Sequence, residues 1–269
     1  MAKGYTATGA GDDMGWQIFI HSIKQVLNNL SAALRISGAL FLVQVVVGYA
    51  LGVNLSGASE AELQQRMMSG DLPWFGLILV FVITVITGIW IAVAWHRYVL
   101  KLEMPTTFIP PFHTDRMLGY FGNSLLLMVI AIPIALVMSL IVGFVAAAFY
   151  GGTAVPSIGV GILIGVVTFL PVIVVIYRLS VILPGSALGE KVRLGEAWSK
   201  TVGSSGAIIL LAVLSILAAV AIDLPLMVLG SVPVLGIVWS VITAWLKMMV
   251  GISILTTLYG HFVEKRPLL

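Results

Sequence analysis

The sequence predicts an all-α fold, a polytopic membrane bundle of six transmembrane helices with short interfacial helices on its cytoplasmic side. Three observations predict it. Apolar residues make up 60% of the chain and charged residues only 9%, against about 25% charged in a soluble domain. The mean hydropathy of +1.12 agrees. Six apolar segments are each long enough for a span, which takes about 20 residues to cross about 30 Å of hydrocarbon at 1.5 Å per residue. Finally, if six spans alternate, nearly all Lys and Arg residues fall on one side, which orients that side to the cytoplasm.

The elements follow in order. Residues 1–35 read as a cytoplasmic N-terminal segment. They carry Asp12, Asp13, Lys24 and Arg35 and no early apolar core, so they read as retained and not as a cleavable leader. Inside them, GWQIFIHSIKQVLNNL puts Trp16, Phe19, Ile20, Ile23, Val26, Leu27 and Leu30 on one helical face, with Gln17, His21, Lys24, Gln25 and Asn28 elsewhere. This is the pattern of an amphipathic helix lying on the membrane.

Residues 36–262 read as the membrane domain, with spans near 36–53, 74–95, 117–150, 158–177, 206–229 and 234–259. NLSGASEAELQQRMMSGDLP separates the first two. KLEMPTTFIPPFHTDR, with its prolines, separates the second and third. The third stretch is longer than one span requires, so 117–123 is expected to be interfacial and to lead into a helix kinked at Pro133. GGTAVPS is a tight turn between the third and fourth. LPGSALGEKVRLGEAWSKTVGSS joins the fourth and fifth, with a turn expected at Pro184-Gly185. Gly230-Ser231-Val232-Pro233 joins the last two, and 263–269 is a cytoplasmic tail.

On the cytoplasmic side this layout places Lys3, Lys24, Arg35, Arg97, Lys101, Arg116, Arg178, Lys191, Arg193, Lys200, Lys265 and Arg266; Arg66 lies opposite and Lys247 inside a span. Both termini are therefore expected in the cytoplasm of a cell with this protein in its inner membrane. Each even span ends in an aromatic residue with a basic group or His: Trp95-His96-Arg97, Tyr177-Arg178 and Tyr259-Gly260-His261. Interfacial belts alone give such a rhythm, and so would three copies of an interfacial-helix-plus-hairpin unit. Within LGEAWSKTV, Leu194, Trp198 and Val202 align while Glu196 and Lys200 pair opposite. The expected elbow after Arg178 runs along the inner leaflet with Trp198 down and Lys200 up.

The chemistry-bearing residues are few. There are no cysteines, which excludes disulfides, thiolate metal sites and a Cys nucleophile. GxSxG, HExxH, phosphate-binding and dinucleotide-binding motifs are absent from the sequence. His96, His113 and Asp115 match no compact metal-ligand spacing, so no metal or cofactor is expected. Lys247 lies about 18 Å from Tyr259 along a helix, where a charge costs about 2.5 kcal/mol or more. Snorkelling, pairing with Asp223, or binding an anionic substrate or headgroup would each account for it. Asp223, near Pro225, suits capping or pairing. Gly48 with Gly52, and Gly161 with Gly165, form GxxxG patterns expected to let helices of the bundle approach closely. The basic rim of Arg97, Arg116, Arg178, Arg193 and Lys200, with Tyr177 and Trp198, sets topology and would attract anionic lipid.

The segment YRLSVILPGSALGEKVRLGEAWSKTVGS resembles bacterial multi-span inner-membrane proteins related to the membrane domain of glycerophosphoryl diester phosphodiesterases, among them the YciC-like proteins. The likeness rests on Arg178, Pro184, Leu194, Ala197, Trp198, Thr201 and Gly203. It implies a helical inner-membrane protein and not phosphodiesterase chemistry, which in those enzymes belongs to a separate soluble domain. The expectation is a non-enzymatic protein that organises lipid or supports a membrane complex, with membrane lipids and a membrane protein as partners and no nucleic acid. The alternative is a small transporter or channel using Asp223 and Lys247.

Overall fold

The computed structural model describes residues 12–51, 53, 68–69, 73–150 and 158–268. Among them the secondary structure is helical: α1 (Asp12–Leu27), α2 (Leu30–Ala50), α3 (Trp74–Lys101), α4 (Thr114–Tyr150), α5 (Ile158–Leu179), α6 (Ile182–Leu188), α7 (Leu194–Thr201), α8 (Ser205–Asp223), α9 (Leu226–Leu229) and α10 (Pro233–Phe262). Six helical stretches, built on α2, α3, α4, α5, α8 and α10, are long and apolar enough to cross a membrane. The protein is thus an all-α polytopic bundle. The GGTAVPS turn, Gly52, and Glu60, Glu62, Arg66 and Asp71 between the first two spans lie outside the described residues.

Helix α4 spans 37 residues without a break, with Pro133 inside it. At 1.5 Å per residue it is about 55 Å long, so its ends pass beyond the hydrocarbon. The expected interfacial segment 117–123 is simply its first turns. Pro171 likewise sits inside α5; membrane helices tolerate such residues where neighbours satisfy the freed backbone groups.

Side-chain contacts bring one end of each spanning helix together. Asn29 before α2 accepts from Tyr98 near the end of α3. Tyr120 of α4 meets His96 of α3, and Arg266 after α10 reaches the carbonyls of Val99 and Leu100. Arg97, Lys101, Arg116, Arg178, Lys200 and Arg266 belong to these chain ends, so we call this the basic end. Its core holds Ile18, Val26, Trp95, His96, Ile182, Leu258 and Tyr259, all fully buried or nearly so. The last described residues pack against α3 through Arg266.

Two expected surface elements are instead inside this end. Helix α1 packs against α8 and α10. Its buried face is Gly15, Ile18, Phe19, Ser22 and Val26, while Trp16 and Leu27 are exposed. The amphipathic pattern holds in part: Phe19 and Val26 of the expected apolar face are buried, together with Ile18, Gly15 and Ser22, but against neighbouring helices and not on a membrane surface. A Cβ on Gly15 would stand 2.4 Å from the carbonyl oxygen of Ala207, so only glycine allows this backbone approach. Helix α6 is the second case. Pro184 and Gly185 do not turn the chain. They lie within a buried helix packed on α3, α4 and α10. The turns fall on either side, at Ser180-Val181 and at Gly189 (φ 87°). Apolarity favoured burial over lying in the interface.

The threefold reading also changes. Helix α2 packs on α3 and α4 on α5, whereas α8 touches α10 little and packs on α1 and α5. The expected glycine seams are not found either: a Cβ at Gly48, Gly161 or Gly165 would meet no atom within 4 Å. Among the described residues these glycines leave bare stretches of helix surface and touch no neighbouring helix.

Candidate functional site

The basic end is built around the C-terminus of α6. Arg97 donates to the carbonyl of Ala187 at 3.0 Å and Lys101 to that of Leu188 at 2.9 Å. Helix termini leave such carbonyls unpaired, and cations satisfy them with charge as well as hydrogen bonds. Arg97 also forks onto both carboxylate oxygens of Glu103. Gly189 follows in the left-handed region, and a Cβ there would stand 2.0 Å from an Arg116 guanidinium nitrogen. Tyr259 donates to Glu190, and Asn123 of α4 donates to Ser186 at 2.6 Å. Arg97, expected as a rim marker, therefore holds the end of an internal helix together with Lys101, and Arg116 lies against Gly189 while pairing with Asp115.

Beside this lies a buried polar network. Ser22 donates to Thr257 at 3.0 Å, and Ser253 to Gln25. Trp95 donates to Ser253 at 3.4 Å. His96 meets Thr256 at 2.8 Å on one ring nitrogen and Tyr120 at 3.4 Å on the other. The sequence reading missed this network. Its signal was present in helical spacing: Ser22 and Gln25 are three apart, and Ser253, Thr256 and Thr257 share a face near the C-terminal end of α10. In lipid such side chains fasten helices to one another.

Arg178 ends α5 and is only 6% exposed. One of its terminal nitrogens, Nη2, donates to Ser205 Oγ at the start of α8. The other, Nη1, is buried and meets no acceptor among the described residues. Trp198 covers the group, with its ring centroid 4.8 Å from the guanidinium carbon. Tyr177 is not a free headgroup anchor, since it donates to Ser215 of α8 at 2.9 Å. In α7, Lys200 pairs with Glu196 at 2.8 Å as expected. The buried positions there are Ala197 and Thr201, while Trp198 and Arg193 are exposed. Trp198 thus turns toward Arg178 and not into an apolar core.

The intramembrane ions do pair. Lys247 Nζ stands 2.8 Å from both Asp223 oxygens. The two side chains keep 39% and 43% exposure, so the pair lies on the outer surface of the bundle. His96, His113 and Asp115 are not brought together. His96 is inside the network, His113 lies 4.0 Å from Glu103, and Asp115 pairs with Arg116. A cleft of about 320 Å³ opens at the basic end, lined in part by His21, Gln25, Thr256, His261 and Arg266.

Fold and site together define a class, the polytopic helical membrane proteins. Comparison with protein-family models, with curated proteins and with solved structures finds no match to this chain.

Proposed function

We propose that this chain is a non-enzymatic protein of the inner membrane, its basic end in the cytoplasm, which organises anionic lipid there or supports a membrane complex. The observation that carries this reading is the gathering of Arg97, Lys101, Arg116, Arg178 and Arg266 onto one packed end. A cationic rim at headgroup depth attracts anionic lipid at about 1 kcal/mol per residue. The likeness of residues 177–204 to YciC-like inner-membrane proteins agrees with it.

The test is purification of the full chain in mild detergent, with retained lipids and co-purifying proteins both identified. Enrichment of anionic over zwitterionic lipid supports lipid organisation. A stoichiometric membrane-protein companion without lipid enrichment moves the reading to complex support. The absence of both, a bare protein in lipid of bulk-membrane composition, defeats the reading. Single cysteines introduced at the exposed positions 24 and 265 test orientation, since the native chain has none.

A small transporter or channel is the second reading, supported by the ion pair between Asp223, at the end of α8, and Lys247, near the middle of α10. That pair faces outward and is satisfied, which suits anchoring of α8 to α10 better than a conduction path. Lys247→Met is expected to leave the fold intact. Loss of a cellular phenotype in that variant would favour the transporter.

A further inference from the structure

We infer that Arg178, positioned by Ser205, forms a binding site for the phosphate of an anionic phospholipid, closed by the Trp198 ring. This rests on the lipid reading above and narrows it to one position. A guanidinium is always charged and offers five donors. Placing it in a low-dielectric setting costs several kcal/mol unless an opposite charge compensates. Arg178 is nine-tenths buried, yet no carboxylate pairs with it among the described residues. Its partners are a hydroxyl and an aromatic face, neither of which carries a full negative charge. The nearest acid of α7, Glu196, is taken by Lys200.

The unpaired Nη1 supplies the missing coordinate. The forked Nη1 and Nη2 match two oxygens of a phosphate, as they match a carboxylate. Nη2 already touches Ser205, which opens α8, a helix of 19 residues. A 3-10 turn, Val202–Ser204, leads directly into α8, and the Ser205 hydroxyl accepts from Nη2 while donating to the Val202 carbonyl at 2.9 Å, which fixes it beside the guanidinium. Access is consistent with a headgroup. Gly203 and Gly206 flank Ser205, and a Cβ on either would meet nothing within 4 Å. A headgroup oxygen reaches the guanidinium by displacing the exposed indole of Trp198, which sits on a short helix at the bundle surface. A headgroup carrying its own ammonium would bring a second cation beside Arg178, so the site favours a net negative lipid.

Native mass spectrometry of the full chain, purified in detergent, tests this with phosphatidylglycerol, phosphatidylcholine and inorganic phosphate as probes. Wild type is expected to retain phosphatidylglycerol over phosphatidylcholine, and Arg178→Met to weaken that binding by about tenfold or more, as loss of a charged hydrogen bond implies. Trp198→Ala is expected to keep the binding, because the ring is a cover and not a ligand. If Arg178→Met does not stay monodisperse, Arg178→Lys carries the test, and a several-fold loss is expected because Lys lacks the fork. Undiminished phosphatidylglycerol binding in the Arg178 variant overturns the site and leaves the wider lipid reading standing. Absence of any anionic preference in wild type overturns both. Displacement of the lipid by millimolar inorganic phosphate overturns the lipid assignment and makes the occupant soluble phosphate.

Discussion

The basic end and the opposite half of this bundle are made from the same apolar residue types, yet they pack differently. At the basic end Trp95, Tyr259 and Leu258 are fully enclosed. Further along, Leu136, Leu140 and Phe144 of α4 and Leu163 and Phe169 of α5 are exposed. In water those exposed stretches would be aggregation surfaces. In lipid they carry no such penalty, because hydrocarbon solvates them as well as a protein core does. Apolar side chains alone therefore do not draw membrane helices together. The packed end is the one where a network of hydrogen bonds, cations on carbonyls and a glycine at the α1–α8 crossing come together, whereas the opposite half has isolated bonds such as Gln44 to Thr87 and Trp239 to the carbonyl of Ile222.

This contrast can be broken by mutation. The largest effect is expected for Tyr259→Ala, which empties the centre of the basic end and frees Glu190. A loss of about 3 kcal/mol or more is expected in reversible unfolding from micelles. Gly189→Val comes next. It forces a β-branched residue to positive φ and into the Arg116 guanidinium, at a cost of about 1–3 kcal/mol; the check is the thermal midpoint in detergent. Ser253→Ala removes the partner of both Gln25 and Trp95, and about 1 kcal/mol is expected from interhelical bonds in a membrane. The smallest effect is expected at the outward ion pair. Lys247→Met alone leaves the Asp223 carboxylate without its cation and destabilises modestly, and adding Asp223→Leu restores most of the loss. A double-mutant cycle on the same unfolding assay measures it.

The spans were legible in the sequence because length and hydropathy are properties of a segment taken alone. The Glu196–Lys200 pair was legible for the same reason, being local to one helix turn. Burial was not. Helix α6 is too short and α1 too polar for hydropathy to place them inside, and their positions depend on Arg97, Lys101 and Thr257 arriving from distant parts of the chain. The GxxxG patterns misled in the other direction, since a small residue permits close approach without supplying a partner. Lys247 and Asp223 were named as a candidate pair, but that they face outward depends on how α8 and α10 lie against their neighbours.

The most direct test pairs two aromatic truncations in one unfolding assay. Trp95 is 0% exposed at the basic end, and Phe144 is 79% exposed in the opposite half. If packing is concentrated at the basic end, Trp95→Ala costs about 3–5 kcal/mol and Phe144→Ala stays within about 0.5 kcal/mol. Comparable losses from the two substitutions would contradict the account.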